Sequence, residues 1–184
     1  MVDNLTPVQI DPQIAPKVYT QSYEKKPLIE GVKLVPLKNI LGEDGSFSEV
    51  IRLNDMGQLE EFPDFKLAQI NRTSQLGGTV KGWHLHYKQD ELWYVPPPYF
   101  ILVGLWDVRQ GSPTQGTVNR ILLDGNNAQL MLIPHGVAHG SAVHGQDSVN
   151  LYYFINQKFD INDPDERRIP WDQLGKDFWE PQRD

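Results

Sequence analysis

Short apolar runs alternate with turn-forming residues along most of this 184-residue chain. Glycine, proline, asparagine and aspartate separate the runs, as at Gly77-Gly78, Pro96-Pro97-Pro98 and Asp124-Gly125. The runs cover residues 32–37, 66–73, 79–87, 91–95, 99–108, 117–123, 129–133 and 148–155. Many short strands separated by such turns are typical of antiparallel sandwiches and barrels. The pattern therefore predicts an all-β fold and gives no indication of a nucleotide-binding βαβ unit.

The length fits one domain with extensions. Residues 1–30 are polar and interrupted by prolines, and we expect them to form an extended N-terminal arm. Residues 31–184 are expected to form a single domain with a charged, aromatic tail from about residue 160. Helical patterning is restricted to residues 56–61 and 171–178, so a short helical tail is expected at the C-terminus.

Composition narrows the range of partners and chemistries. Twenty-four acidic residues against 17 basic ones give a net charge of −7, which disfavours nucleic acid and anionic membranes as partners and favours a small-molecule ligand. The absence of cysteine excludes disulfides, thiolate metal sites and thiol nucleophiles. The longest apolar run is strand-sized, and no secretion signal is visible, so we expect a cytoplasmic protein without a membrane span.

The histidines are the strongest indication of a site, because all five lie between residues 84 and 144. His84 and His86 are two residues apart, which places both rings on the same face of a strand. Glu91 follows a predicted turn that returns the chain beside them, and His139 opens a further strand. Imidazole and carboxylate groups in this arrangement suit either a metal site or acid–base chemistry. The remaining histidines, His135 and His144, fall at turns and are expected to be solvated.

The spacing of these residues resembles the two motifs of the cupin superfamily. The matching elements are Gly78, His84-x-His86, Glu91 and Pro134-x-Gly136-x-x-His139. The resemblance implies a jelly-roll barrel in which His84, His86, Glu91 and His139 hold a divalent metal. Imidazole and carboxylate ligands suit Fe, Mn, Ni, Zn or Cu. Two positions depart from the motifs: prolines replace the final glycine of the first, and the asparagine expected after His139 is absent.

A longer resemblance, from about residue 34 to 181, is to the dTDP-4-dehydrorhamnose 3,5-epimerase family, which is itself a cupin fold. The matching segments are 42–49, 69–71, 80–84, 107–114, 133–140, 151–152 and 165–171. The resemblance implies an isomerase that acts on a nucleotide-linked 4-keto-6-deoxy sugar in dTDP-rhamnose biosynthesis. It implies no cofactor.

The resemblance also implies roles for individual residues. His84 matches the family's general base, and Tyr152 matches its proposed proton donor on the opposite face of the sugar. Lys81 stands where a phosphate-binding arginine is usual. The other positions expected to line the substrate site are Glu49, Gln69, Asn71, His139 and Glu166. Such a set is chemically sensible, because epimerisation beside a ketone needs a base on one face and an acid on the other.

Several departures from the family pattern keep alternatives open. An acidic residue, Asp90 or Glu91, stands near the position of the family's active-site lysine, and the 42–47 turn lacks an arginine. No counterpart is expected for the aspartate that orients the histidine in the family. Arg167 and Arg168 are expected to form a locally paired surface patch.

Three functions are therefore considered. The leading hypothesis is a cofactor-free epimerase, and the alternatives are a metal-dependent cupin and a carbohydrate-binding barrel without catalysis. The first two exclude each other at His84, because a nitrogen bound to a metal cannot also accept a proton. The family and the N-terminal arm together predict a homodimer.

Overall fold

The computed structural model describes residues 8–22, 24 and 26–182, and these form twelve β-strands and three short 3-10 helices. In chain order the strands are β1 (Lys33–Pro36), β2 (Asn39–Gly42), β3 (Gly45–Ser48), β4 (Gln69–Leu76), β5 (Val80–Leu85), β6 (Glu91–Tyr94), β7 (Phe100–Asp107), β8 (Val118–Asp124), β9 (Gln129–Ile133), β10 (Val137–Ala142), β11 (Ser148–Ile155) and β12 (Arg167–Arg168). The 3-10 helices are Ala15–Lys17, Gly125–Asn127 and Lys176–Trp179.

Two five-stranded sheets face each other across an apolar core. The first has the strand order β1-β9-β6-β11-β4 and the second has the order β12-β5-β10-β7-β8, with every pairing antiparallel. Alternate residues of both sheets point inward, among them Val103, Leu105, Met131 and Val149, which are buried. The prediction of an all-β cupin-type fold is confirmed.

The predicted strands agree with the structure where one face is buried. The runs at 129–133 and 148–155 match β9 and β11 end to end. The sequence pattern indicated only a turn at residues 42–45, where the structure has the exposed β2–β3 hairpin. An exposed hairpin carries little alternation of apolar and polar residues, so its strands leave a weak signal in the sequence.

The helix predicted over residues 56–61 is absent. In its place Leu53 and Leu59 form an isolated bridge, and Leu59 and Phe62 cover the outer face of the first sheet. The apolar residues of this region, which are spaced three apart, therefore belong to an irregular segment that packs on the first sheet. At the C-terminus the predicted helix is reduced to the 3-10 turn Lys176–Trp179.

An aromatic cluster covers the outer face of the second sheet and fixes the C-terminal segment there. Trp179 packs on Trp83 with ring centroids 4.7 Å apart, over a floor of glycines from β5, β7 and β10. A Cβ atom at Gly104 or Gly140 would lie 2.8 Å from the Trp179 ring, so only glycine allows this approach. The Trp179 carbonyl accepts a hydrogen bond from His144 Nε2 at 2.7 Å, which corrects the expectation that His144 is solvated.

The division into an arm at 1–30 and a domain at 31–184 stays a prediction. Residues 1–7 lie outside the described residues, and residues 8–22 are exposed. Within the part of the chain that the structure describes, no helix is long and apolar enough to cross a membrane.

Candidate active site

A cavity of about 400 Å³ lies between the inner faces of the two sheets. Its lining consists of Thr73, Lys81, His84, His86, Glu91, Trp93, His139, Ser141, Leu151, Tyr153, Glu166 and Arg168. The cavity thus combines titratable groups from β5, β6 and β10 with two charged residues of the C-terminal segment.

Strand register in the second sheet brings three of these side chains into one row. His84 of β5 is directly opposite His139 of β10 on one side and Arg168 of β12 on the other. Because directly opposite residues of neighbouring strands project to the same face, all three point into the cavity. The rings of His84 and His139 stack with centroids 5.8 Å apart.

His84 is held by hydrogen bonds at both ring nitrogens. Nδ1 contacts Glu166 Oε1 at 2.7 Å, and Nε2 contacts Arg168 Nη1 at 2.8 Å. A guanidinium can only donate, so Nε2 accepts and Nδ1–H donates to the carboxylate. Burial raises the pKa of Glu166, but the hydrogen bond from His84 and the positive charges nearby, among them His86 and Arg168, outweigh burial and lower it overall, so the carboxylate is ionised. Because Nε2 accepts a hydrogen bond from the guanidinium, this geometry is that of a neutral imidazole with its lone pair at Nε2, the form that a general base needs.

His86, Glu91 and His139 form a second, fully buried group. The Nδ1 atoms of the two histidines donate to backbone carbonyls, His86 to Asp165 and His139 to Val137. Their Nε2 atoms consequently face the Glu91 carboxylate, at 3.1 Å for His86 and 3.5 Å for His139. One ligand atom from each of the three residues falls within 4.8 Å of the others.

The electrostatics of this group are asymmetric. Burial lowers the pKa of His86, but the hydrogen bond and charge of Glu91 outweigh it and raise the pKa to about 9. Burial raises the pKa of Glu91, but the hydrogen bond from His86 and the nearby histidine charges lower it to about 2. Burial lowers the pKa of His139 to about 4. At neutral pH the group is a buried His86–Glu91 ion pair beside a neutral His139.

The prediction that Tyr152 faces the site is wrong by one residue. Tyr152 packs among Phe62, Phe65 and Leu92 on the outer face of the first sheet, whereas Tyr153 lines the cavity. The cause is the two-residue period of β11, because Leu151 and the residues alternating with it point inward. The sequence indicated which residues of β11 face inward, because Val149 and Leu151 are apolar and the polar Ser148 and Asn150 alternate with them.

The remaining predicted substrate residues fall in three places. Lys81 reaches the cavity, where its Nζ donates to Thr73 Oγ1 at 2.7 Å. Gln69 and Asn71 are hydrogen-bonded to each other at 2.8 Å and line an adjoining pocket of about 290 Å³. Glu49 lies in a separate surface pocket and pairs with Arg52 at 2.8 Å, so the structure does not bring it to the cavity of its own chain.

Two contributions from the C-terminal segment were missed by sequence reasoning. Glu166 lines the cavity as expected, but its hydrogen bond with His84 Nδ1 was not predicted. Arg168 was expected in a surface patch, yet it contacts the His84 ring. A strand of two residues has no periodicity, so the sequence carried no signal for either contact.

The His86–Glu91 pair predicts a pH-dependent stability. Because the pKa of His86 is about 9 in the folded protein against 6.5 for an ordinary histidine, the folded state holds a proton that the unfolded state has released. The stabilisation is complete below pH 6.5 and is lost as the pH rises through 9, a fall of roughly 3 kcal/mol in the free energy of unfolding. Urea denaturation at several pH values measures it.

The matched variants are His86→Gln, which should flatten this dependence, and His135→Gln, which removes an exposed histidine and should keep it. Equal slopes for wild type and His86→Gln between pH 6.5 and 9.5 would contradict the assignment.

Comparison with known proteins agrees with this geometry. The family model for dTDP-4-dehydrorhamnose 3,5-epimerase matches residues 26–179. The spore coat polysaccharide biosynthesis protein SpsL of Bacillus subtilis is 37% identical over 145 residues, which cover 79% of this chain and 91% of that protein. A probable low-salt glycan biosynthesis epimerase of Haloferax volcanii, Agl13, is 31% identical over 79% of this chain and 90% of its own length.

Among solved structures, a dTDP sugar isomerase from Desulfovibrio desulfuricans superposes with a TM-score of 0.68 at 28% identity, covering 79% of this chain and 88% of that one. The match of the family model over residues 26–179 and the identity to these relatives show that the chain belongs to the dTDP-4-dehydrorhamnose 3,5-epimerase family of nucleotide-sugar epimerases.

Proposed function

We propose that the protein epimerises a carbon beside the ketone of a dTDP-linked 4-keto-6-deoxy hexose, and that it does so without a cofactor. The observation that carries this proposal is the state of His84, whose Nδ1–H is fixed by Glu166 so that Nε2 can accept a proton. Removing the proton from a carbon beside a ketone requires a positioned base in its deprotonated form, which for histidine is the neutral imidazole.

Removal of the proton by His84 Nε2 leaves an enolate, in which the carbon–hydrogen bonding pair has become the carbon–carbon double bond and the carbonyl π pair has moved onto oxygen. Inversion then requires a proton delivered from the opposite face. Tyr153 suits this role because it belongs to β11 of the first sheet, across the cavity from His84 in the second sheet. Burial raises the pKa of Tyr153, so its hydroxyl is protonated at neutral pH and can donate.

The cavity and its neighbouring pocket provide room for a two-part ligand. They share the lining residues His86, Glu91, Tyr153 and Glu166, so the space that contains Lys81 adjoins the space lined by Gln69 and Asn71. In this proposal the sugar lies against His84 and Tyr153 in the first space. The nucleotide extends toward the amides of Gln69 and Asn71, and Lys81 supplies a positive charge for the diphosphate.

Solvent-deuterium exchange with a dTDP-4-keto-6-deoxy hexose tests this mechanism. Wild-type enzyme should incorporate deuterium at a carbon next to the ketone and invert it, and His84→Asn should lower both rates by about 10²–10⁴-fold because the base is lost. Tyr153→Phe should keep exchange through His84 while losing inversion by a similar factor. NMR of the recovered sugar distinguishes exchange from inversion.

Tyr152→Phe is the matched control, since Tyr152 packs on the outer face of the same strand and should retain wild-type exchange and inversion. Loss of inversion in Tyr152→Phe with normal inversion in Tyr153→Phe would overturn the assignment of the acid. A wild-type enzyme that neither exchanges nor inverts would overturn the proposed function.

A second candidate function is metal-dependent, and one observation favours it. The Nε2 atoms of His86 and His139 converge on Glu91 while their Nδ1 atoms are tied to carbonyls, the arrangement by which outer contacts orient imidazole ligands. These three residues fit a divalent transition metal, which would act as a Lewis acid on a bound carbonyl. The predicted fourth ligand, His84, is instead hydrogen-bonded at both nitrogens.

Elemental analysis of protein purified without chelator decides between the two candidates. The epimerase proposal predicts less than about a tenth of an equivalent of any transition metal, because the His86 proton already neutralises Glu91. A stoichiometric metal that is lost in Glu91→Gln would favour the second candidate.

We further propose that the protein is a homodimer. Support comes from the β2–β3 hairpin, a separate two-stranded sheet with exposed Ile40, Leu41 and Phe47, and from β4, an edge strand with exposed Ile70. Sedimentation equilibrium should give twice the chain mass of 21.1 kDa, and a mass of one chain would contradict it. The cytoplasmic location and the role in dTDP-rhamnose biosynthesis stay predictions.

A further inference from the structure

Arg168 lies at the atom where the proposed reaction begins. Its Nη1 donates to His84 Nε2 at 2.8 Å, and its Nε lies 3.1 Å from Glu166 Oε1. The lone pair that must accept the substrate proton is therefore occupied by a guanidinium. Substrate can reach the base only if this contact is exchanged for one with the carbon acid.

The exchange leaves Arg168 next to the ketone. A carbonyl oxygen lies about 2.4 Å from the α-carbon of the same ketone, as the bond lengths require. When the α-carbon takes the position of Nη1 at His84, the ketone oxygen is thus within a short side-chain movement of the guanidinium. The Nε contact with Glu166 can persist during this movement, because it is made by a different nitrogen.

The other cationic side chains that line the cavity are committed elsewhere. Lys81 Nζ contacts Thr73 Oγ1 at 2.7 Å and the Ser74 carbonyl at 3.4 Å. The charge of His86 is paired with Glu91 inside the protein. Arg168 has an exposed side chain at the cavity rim and five N–H donors, of which these contacts use two, so it can take up a new acceptor.

We propose that Arg168 is a catalytic residue that stabilises the enolate oxygen. This assignment rests on the proposed function. As His84 Nε2 takes the α-proton, the C–H electron pair forms the carbon–carbon double bond and the carbonyl π pair moves onto oxygen. The guanidinium donates hydrogen bonds to that oxygen, and reprotonation at carbon reverses the electron movement. A donor aimed at the developing charge acts mainly on the transition state, so its loss should lower kcat more than it raises KM.

The neighbouring arginine provides a matched control. Arg167 is opposite Leu85 in the register and lies over the Tyr87 ring at 5.6 Å, so it does not share the face of His84. Both arginines are exposed and belong to the same two-residue strand, so Arg167→Gln and Arg168→Gln remove the same charge at adjacent positions.

The experiment measures kcat and KM for deuterium exchange from a dTDP-4-keto-6-deoxy hexose, and the Kd of dTDP, in wild type, Arg168→Gln, Arg168→Ala and Arg167→Gln. We expect kcat to fall by about 10²–10³-fold in both Arg168 variants with KM and the Kd of dTDP within about threefold of wild type. Guanidinium added at millimolar concentration should restore part of the kcat of Arg168→Ala and leave Arg167→Gln, which keeps wild-type rates, unchanged.

Three results would overturn the assignment while leaving the epimerase proposal intact: wild-type kcat in Arg168→Gln, a rise in KM and in the Kd of dTDP without a fall in kcat, or a loss in Arg168→Ala that guanidinium does not relieve. The second of these would identify Arg168 as a diphosphate anchor. Absence of exchange in the wild-type enzyme would instead overturn the proposed function, and the role of Arg168 with it.

Discussion

The pairing of β12 with β5 is the contact on which the chemistry of this protein depends. It places Glu166 at one nitrogen of His84 and Arg168 at the other, and so determines where the imidazole carries its proton. Neither charged residue belongs to the regular part of the barrel. A short piece of chain added to the sheet edge therefore fixes the orientation and the proton position of a half-buried strand histidine.

The two acid–base groups of the cavity have different physical states. His84 is half-buried and has the hydrogen-bond pattern of a neutral imidazole, whereas His86 and Glu91 form a buried ion pair that burial alone would oppose. Such a pair gains little stability over apolar residues of the same volume, because desolvation offsets much of the attraction, but losing one of its two charges is costly because the other is left buried and unpaired. The Glu91 carboxylate also accepts hydrogen bonds from Trp93 Nε1 and Gln89 Nε2, which fix its position in the wall of the cavity.

Much of the barrel and part of the site could be predicted from sequence. The features that could be predicted are those set by alternation along a single strand. Strand alternation correctly placed His84 and His86 on one face, and a turn returned Glu91 to His86. The same alternation would have selected Tyr153, but the assignment of Tyr152 relied on resemblance and missed the parity of Leu151. The contacts of Glu166 and Arg168 could not be predicted, since they arise from pairing between residues more than eighty positions apart through a strand too short to have a pattern.

The packing of Trp179 on the glycines of β5, β7 and β10 affects how the enzyme is expected to lose activity on heating. The segment carrying Glu166 and Arg168 is anchored at one end by Asp165, whose carboxylate accepts from the amides of residues 87–89, and at the other by this tryptophan. A segment held mainly at its two ends can unfold locally as a unit while the two sheets stay folded. Heat inactivation would then set in below the melting temperature of the barrel, with the binding cavity still present but its base no longer oriented.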